Sequence, residues 1–354
     1  MQKAERRRAP SRRGLLTERR EPPPRPLQPL TGKMAAESTP TTLLTDLHVS
    51  YIQSLDQNRD ELSYYYTEHL RMNGVYWGLT ALALMNRQDA LPRDEMIKWV
   101  MSCYVDQAGG FAPHPNHDPN VHATLSAVQI LAMQDSLEIL DRDRIVEYVL
   151  SLQHPERGSF AGDEWGEQSA RFTFCAVATL SLLGQLDKLD KQKTVDFISN
   201  CRNFDGGFGM VEGAESHAAY VWTSLGTLAI LDRLDIVDSD TLCWWLCERQ
   251  LSNGGLNGRP EKLEDVCYSW WALASLAILN RSHWIDGQKL SEFILSAQDP
   301  EKGGIADRPE DVADVWHTVF GLAGLSLLDY PGMQAVDPVY CMPLAVTEKL
   351  VQRK

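Results

Sequence analysis

The sequence predicts an all-α fold built from tandem repeats of about 48 residues. Two adjacent small residues, Gly-Gly or Gly-Ser, followed by an apolar residue, recur five times along the chain, at intervals of 49, 48, 48 and 49 residues. The first glycines of these five positions are Gly109, Gly158, Gly206, Gly254 and Gly303. A fixed period in this range indicates a repeat architecture, in which each unit buries its apolar face against its neighbours.

Each repeat contains two kinds of helical segment. The segment before the glycines is amphipathic: in residues 144–152 the apolar side chains fall at i, i+3, i+4 and i+7. The segment after the glycines is apolar on nearly all sides, as in residues 172–183 and 221–231. Alternation of the two kinds predicts paired helices in two layers, with the amphipathic helices outside. The glycines suit a turn with positive φ between the layers.

The two ends of the chain depart from the repeat. Residues 71–79 resemble the inner helix of a degenerate first unit, and the tail from Tyr330 onward is expected to pack across one end. Residues 1–33 are rich in Arg and Pro without hydrophobic periodicity, which predicts a disordered basic extension before a single domain at 34–354.

Charge and cysteine usage exclude several function classes. The chain carries a net charge of −14, but residues 1–33 hold ten Lys or Arg against three Glu, so the remainder carries −21. A body this acidic does not favour nucleic acid or an anionic membrane surface. Seven Cys without a CxxC pair indicate a reducing compartment, and no apolar run is long enough for a membrane span. We therefore expect a cytoplasmic protein.

Polar residues occur at equivalent places in successive repeats. Many of these polar side chains lie 11, 13 or 14 residues after the first glycine of a repeat. They include Asn120, His122, Ser169, Arg171, His217, Asp265, Cys267, Asp314 and His317. Because equivalent positions of stacked repeats face a common space, these side chains are expected to form a functional rim.

Asp265, Cys267 and His317 are a candidate metal site. A carboxylate, a thiolate and an imidazole suit Zn²⁺, and three protein ligands leave a fourth position open. Residues i and i+2 do not share a helix face, so Asp265 and Cys267 can bind one ion only if Asp265 precedes regular helix geometry. The alternative is a helix-capping Asp, a core Cys and a polar His at a helix end.

A second group could hold a diphosphate. It combines two cations, a phenol and an imidazole: Arg259, Lys262, Tyr268 and His217. A solvated, salt-bridged loop would explain the two cations equally well. Aromatic residues such as Trp77, Trp222, Trp270 and Trp271 could line an apolar pocket or simply fill the core.

These motifs resemble the beta subunits of protein prenyltransferases. The resemblance is carried by Asp265–Trp271, by Gly258–Lys262 before it and by His317–Gly321 one repeat later. Four further segments, 165–167, 215–218, 244–250 and 340–343, resemble the Rab geranylgeranyltransferase (type II) beta subunit more narrowly. The resemblance implies an α6–α6 barrel, a heterodimer with a helical-repeat alpha subunit, and transfer from geranylgeranyl diphosphate to C-terminal cysteines of Rab GTPases presented by an escort protein.

The resemblance also implies roles for individual residues. Asp265, Cys267 and His317 would bind zinc, and His217, Arg259, Lys262 and Tyr268 would hold the diphosphate. The isoprenoid pocket would include Asn73, Leu125, Trp270, Trp271 and Trp316. Arg171 would contact the tail of the protein substrate, and Asp307 matches a position that assists magnesium in some relatives. Asn73 replaces the usual smaller Ser, and Trp316 replaces a usual Phe.

Three other functions compete with this interpretation. A farnesyl or type I geranylgeranyl transferase beta subunit would use the same zinc chemistry on CaaX substrates. A terpene cyclase shares the two-layered repeat, but its Asp-x-Asp-Asp signature is absent from this sequence. A non-catalytic repeat scaffold would have no reason to place His, Arg, Asp and Cys at matching positions.

Overall fold

The helices alternate between an inner and an outer layer. A computed structural model describes residues 40–57 and 62–351. The inner helices are α3 (Arg71–Leu84), α5 (Val121–Met133), α7 (Ala170–Leu182), α9 (Ala218–Ile230), α11 (Tyr268–Ile278) and α13 (Val315–Leu327). The outer helices are α1 (Thr45–Ser54), α4 (Arg93–Ser102), α6 (Arg142–Ser151), α8 (Lys191–Asn200), α10 (Ser239–Cys247) and α12 (Gly287–Ser296). Two short helices, α2 (Leu62–Tyr66) and α14 (Leu344–Leu350), lie outside this alternation.

The inner helices close into a ring. Each packs on the next in the order α3, α5, α7, α9, α11 and α13, and α13 packs back onto α3. Burial differs between the layers as the patterns predict: eleven residues of α5 are buried, against four of α6. The α6–α6 barrel expected from the resemblance is therefore confirmed.

The repeating glycines set the spacing between the two layers. The first glycine of each pair has a positive φ, for example 85° at Gly109 and 91° at Gly254. A Cβ at Gly109 would lie 2.7 Å from the carbonyl oxygen of Arg144, in the outer helix of the next repeat. The equivalent glycine of the last repeat, Gly303, lies in the same way against Leu47 in α1. Helix α1 is thus the sixth outer helix, and its contact with the last repeat closes the outer layer.

A buried histidine fixes α1 to the last repeat. His48 has no exposed surface, and its Nδ1 accepts a hydrogen bond of 2.8 Å from the backbone N–H of Gly304. Its Nε2 lies 2.9 Å from Oε1 of Gln298. Because Nδ1 is the acceptor, the neutral ring carries its proton on Nε2 and donates it to Gln298. Burial lowers the pKa of His48, and the bond to Gln298 acts in the opposite direction.

The C-terminal segment crosses one end of the ring, as expected for the tail. Its hairpin pairs β3 (Val336–Asp337) with β4 (Met342–Pro343). Three inner helices donate to its backbone: the Tyr76 hydroxyl to Cys341 O at 2.7 Å, Gln129 to Tyr340 O at 2.9 Å, and the Trp222 indole to Pro338 O at 2.8 Å. These bonds hold the segment against α3, α5 and α9 at once.

Helix positions follow the predicted pattern, with small differences. The inner segments expected at 172–183 and 221–231 are helical at Ala170–Leu182 and Ala218–Ile230, and the degenerate first unit is α3. The sequence did not predict the short pair of β1 (Tyr104–Val105) and β2 (Gly110–Phe111), which forms because the glycine turn folds the chain back on itself. The predicted boundary between residues 33 and 34 lies outside the described residues. No described helix has the length and apolar character needed to cross a membrane.

Candidate functional site

The polar rim is built from the starts of the inner helices. In four repeats the residue eleven positions after the first glycine is the N-cap, and its side chain accepts a hydrogen bond from the first turn. These residues are Asn120, Ser169, His217 and Asp314. Since the same position caps successive neighbouring helices, the four side chains lie at one level of the ring. The structure therefore places these four residues at equivalent helix starts, as the repeat spacing predicts.

The fourth repeat departs from this capping pattern. Its equivalent residue is Asp265, but regular helix begins only at Tyr268, with Cys267 as the N-cap. Oδ1 of Asp265 accepts a hydrogen bond of 2.7 Å from the backbone N–H of Cys267. The delayed start removes the helical constraint between i and i+2, so the two side chains can face the same point.

Asp265, Cys267 and His317 converge as the sequence predicts. Their ligand atoms all lie within 4.8 Å of one another, and His317 Nε2 is 3.3 Å from Asp265 Oδ1. Two ligands of a tetrahedral zinc ion at 2.0–2.1 Å are separated by roughly 3.4 Å. The spacing and the donor types, one carboxylate, one thiol and one imidazole, therefore fit a zinc ion.

Electrostatics also favour a cation at this point. Burial and the neighbouring Asp265 carboxylate raise the pKa of Cys267 well above its ordinary value, although the Trp271 and Trp316 indoles act against this. Burial opposes ionisation of Asp265, but hydrogen bonds with His317 and Cys267 outweigh it and lower the pKa of that carboxyl. The site thus places a carboxylate against a thiol, and a cation between them would relieve the repulsion between that carboxylate and the thiolate form of Cys267.

A fourth residue, Asp314, orients the histidine. Its Oδ1 accepts from the His317 backbone N–H at 2.8 Å, and its Oδ2 lies 2.5 Å from His317 Nδ1. Burial lowers the pKa of His317, but the bonds to Asp265 and Asp314 outweigh it and raise the pKa to about 9. A carboxylate on the second nitrogen of a ligand histidine fixes its ring and tautomer. The repeat spacing places Asp314 only among the rim residues, and its position three residues before a ligand His is the sequence signal for this orienting role.

His217 and Tyr268 form the start of a donor group beside the triad. The Tyr268 hydroxyl lies 3.3 Å from His217 Nε2, and His217 Nδ1 accepts from the backbone N–H of Ala219 at 3.2 Å. The imidazole therefore carries its proton on Nε2 and donates it to the phenol oxygen, which leaves the phenol O–H free to donate outward. Burial and the charge of Arg259 lower the pKa of His217, and Glu215 opposes them.

The two predicted cations are placed differently. Arg259 forms an ion pair with Glu215, a partner that the sequence analysis did not identify. Lys262 is exposed, and within residues 40–57 and 62–351 no ion pair involves its ammonium group. The structure thus brings Arg259, His217 and Tyr268 together and leaves Lys262 at the edge. A loop that is only salt-bridged would explain Arg259 but not the aligned phenol.

Aromatic side chains form a continuous wall on the inner helices. Trp271 lies 5.1 Å from Trp222, 5.8 Å from Trp316 and 4.6 Å from Phe320, and Trp316 lies 4.9 Å from Trp77, measured between ring centres. Trp271 and Trp316 are partly exposed, as residues lining a pocket must be. Trp270 is fully buried against Phe320 and belongs to the core behind the wall.

The other two predicted pocket residues lie on α3 and α5. The buried amide of Asn73 donates a hydrogen bond of 2.9 Å to Ser126 Oγ, and Leu125 is buried beside it. The bond joins the two inner helices, so Asn73 has a structural partner that compensates its burial.

Arg171 and Asp307 occupy the rim at separate places. Arg171 is exposed and lies over Phe172; burial and the Arg171 charge lower the pKa of the nearby His122 to about 4. Asp307 Oδ2 accepts two hydrogen bonds from Arg308, at 2.9 and 2.8 Å. Its Oδ1 is buried and has no hydrogen-bond partner among the described residues.

Comparison with known proteins identifies the fold family. The model of the prenyltransferase alpha-alpha toroid domain matches residues 43–342, which is most of the chain. The chain belongs to this prenyltransferase toroid family. The resemblance drawn from the motifs is thereby confirmed.

Named relatives of this toroid match over shorter segments. The geranylgeranyl transferase type-2 subunit beta of Saccharomyces cerevisiae is 53% identical over 90 residues, 25% of this chain and 28% of its own length. The probable type-2 subunit beta of Dictyostelium discoideum is 49% identical over 110 residues, 29% of this chain and 32% of that protein. The matched segments thus span about a third or less of these relatives.

A solved structure shares the toroid over nearly its whole length. The structure of Candida albicans protein geranylgeranyltransferase-I complexed with GGPP superposes with a TM-score of 0.78, covering 87% of this chain and 98% of that one. Its sequence identity of 21% supports the fold alone.

Proposed function

We propose that this chain is the catalytic beta subunit of a Rab geranylgeranyltransferase. In this proposal it works in the cytoplasm as a heterodimer with a prenyltransferase alpha subunit. It transfers the geranylgeranyl group of geranylgeranyl diphosphate to C-terminal cysteines of Rab GTPases that an escort protein presents. The names of the matched relatives and the motifs around Asp265–Trp271 support this assignment.

The observation that carries the proposal is the adjacency of two sites with complementary chemistry. The triad residue Cys267 and the donor Tyr268 are consecutive at the start of α11. A sulfur nucleophile held at the triad would therefore lie beside a leaving group held by Tyr268, His217 and Arg259. Such proximity is the main requirement of a transfer between two bound substrates.

Asp265, Cys267 and His317 would hold a zinc ion, with Asp314 orienting the histidine. A bound zinc ion favours the thiolate form of a coordinated cysteine, whose ordinary pKa is about 8.5. These three residues would leave a fourth position open, where the substrate thiol could bind. Magnesium would be held near Oδ1 of Asp307, because carboxylate oxygens are its usual protein ligands.

The donor group would stabilise the departing diphosphate. The substrate thiol gives up its proton to solvent, its sulfur forms a thioether bond with carbon 1 of the lipid, and the bond from that carbon to the diphosphate oxygen breaks. Negative charge accumulates on the diphosphate, where Arg259, Lys262 and the Tyr268 hydroxyl can donate. Interactions that strengthen as this charge develops lower the barrier, and each such donor contributes roughly 2.7–4 kcal/mol.

The aromatic wall would bind the isoprenoid. Trp271 and Trp316 offer partly exposed rings, and each buried CH₂ of the lipid contributes about 0.8 kcal/mol. Leu125 is smaller than the aromatic residue of farnesyl-specific relatives, which suits a longer chain. Arg171, exposed on the rim, could contact the tail of the protein substrate.

Transfer assays with paired substrates test the proposal. The chain would be copurified with a candidate alpha subunit and given geranylgeranyl or farnesyl diphosphate, with either an escorted Rab protein or a CaaX peptide as acceptor. We expect transfer of geranylgeranyl to Rab at least about 100-fold faster than to the peptide. Preferred modification of the CaaX peptide would assign the chain to the farnesyl or type I enzymes instead, and no transfer with either acceptor would favour a non-catalytic scaffold.

A further inference from the structure

A second cluster of metal-binding side chains lies on the rim, outside the triad. One ligand atom each from Glu68, His114 and His117 lies within 4.8 Å of the other two. All three residues are half-buried, so the cluster is both shielded and open to an ion. None of the three has a role in the transfer chemistry proposed above.

The backbone holds the two histidines side by side. The His114 carbonyl accepts a hydrogen bond of 3.2 Å from the His117 backbone N–H. Pro115 and Asn116 fill the two central positions, and Asn116 has a φ of 69°. Proline followed by a residue of positive φ is the pattern of a type II β-turn, whose first and last Cα atoms lie within about 7 Å.

This turn is attached to the segment that carries Glu68. The backbone N–H of Met72, in the first turn of α3, donates to the carbonyl of Pro113 at 2.9 Å. Glu68 lies one helical turn before Met72, and its Oε2 is 3.2 Å from His117 Nε2. The His114 ring also packs at 6.3 Å from Trp99 of the outer helix α4. The cluster is therefore positioned by three separate elements.

The geometry is that of a zinc site with one open position. The 3.2 Å separation of Glu68 and His117 is close to the roughly 3.4 Å expected between two ligands of a tetrahedral zinc ion at 2.0–2.1 Å. Two imidazoles and one carboxylate form a ligand set that zinc proteins use with a fourth position left to water. A simple ion pair would account for Glu68 and His117 but not for the approach of His114.

We propose that Glu68, His114 and His117 bind a second divalent transition-metal ion, most favourably Zn²⁺. The ion would join the start of α3 to the loop before α5, two neighbouring inner helices. It differs from the triad site in its ligands, because it contains no thiolate. This difference allows the two sites to be counted separately.

Metal content of the full-length protein tests the proposal directly. After saturation with Zn²⁺ and removal of free ion, we expect two zinc ions per chain by mass spectrometry of the metal. His114→Ala, His117→Ala and Cys267→Ala should each retain one, and the double variant Cys267→Ala/His117→Ala none. Glu68→Gln, which keeps the side-chain size, should weaken the second site by at least about tenfold, since even loss of an outer-shell partner costs 10–100-fold in affinity.

Cobalt spectra and a neighbouring histidine provide the controls. In Cys267→Ala the sulfur charge-transfer band should be absent, but the Co²⁺ bound at the second site should keep its visible ligand-field absorption. In the double variant Cys267→Ala/His117→Ala the ligand-field absorption should be lost as well. His69→Ala removes an exposed histidine next to Glu68 and should still bind two ions. No zinc ion in Cys267→Ala, or two in His117→Ala, would overturn the proposal, whereas failure of the triad alone would leave one ion in both the wild-type protein and Cys267→Ala; thermal melts of each variant show whether it is folded.

Discussion

The hydroxyl of Tyr268 is expected to contribute mainly to the rate of transfer. Tyr268→Phe removes a single oxygen and keeps the ring that packs against Gly258. His217 donates to that oxygen, so the phenol proton is aimed away from His217 and is free to donate to a bound group. A donor fixed in this way needs no reorientation when the diphosphate gains charge.

The structure sets the expected size of the effect. Loss of one fixed donor costs roughly 2.7–4 kcal/mol in the transition state, or about 100- to 1,000-fold in rate. Tyr268 is only partly buried, and the cations Arg259 and Lys262 remain in the variant. Both facts favour the lower end, a fall of about 100-fold in the single-turnover rate of geranylgeranyl transfer.

Tyr220→Phe is the matched control. The Tyr220 ring lies 5.7 Å from the His217 ring, the same separation as the Tyr268 ring, but of these two tyrosines it is the Tyr268 hydroxyl that is hydrogen-bonded to the imidazole. The control should change the single-turnover rate by less than about threefold, because no residue in the described part of the chain fixes the Tyr220 hydroxyl toward the diphosphate. Equal losses in the two variants, or a loss below threefold in Tyr268→Phe, would refute the reasoning.

Three further predictions follow from the same structure. Cys267→Ala should lose the triad zinc and transfer activity while binding of lipid diphosphate persists; an unchanged zinc content by atomic absorption would contradict the ligand assignment. Gly258→Ala should displace the Tyr268 ring and destabilise the fold by about 1–3 kcal/mol in urea unfolding, whereas Gly74→Ala meets no atom within 4 Å and should be tolerated. Because burial lowers the pKa of His48, the unfolded chain binds the proton first, so the free energy of unfolding should fall as pH drops below about 6.5. In His48→Gln the free energy of unfolding should depend less on pH in this range, and an unchanged slope would exclude His48 as its source.

Repeat counting predicted the layers and the rim because both depend on local sequence. Glycine at a fixed place in each repeat is required by its positive φ and by the close approach of the next outer helix, so its spacing reports the architecture directly. Closure of the ring depends on contacts between residues that are 250 or more positions apart, such as His48 with Gln298. No local pattern encodes such a contact, and α1 was not recognised as an outer helix for that reason.

The site was predictable as a set of residues but not as an arrangement. Residue types at matching positions identified the triad, yet the convergence of Asp265 and Cys267 depends on where α11 begins. In the other described repeats the equivalent residue caps the helix at once, whereas here the chain makes one additional turn first. The same departure from the repeat brings Tyr268 to the first helical position, beside His217. One local change in capping therefore creates both the metal site and its neighbouring donor, and a variant that restored the standard cap should disturb the two together.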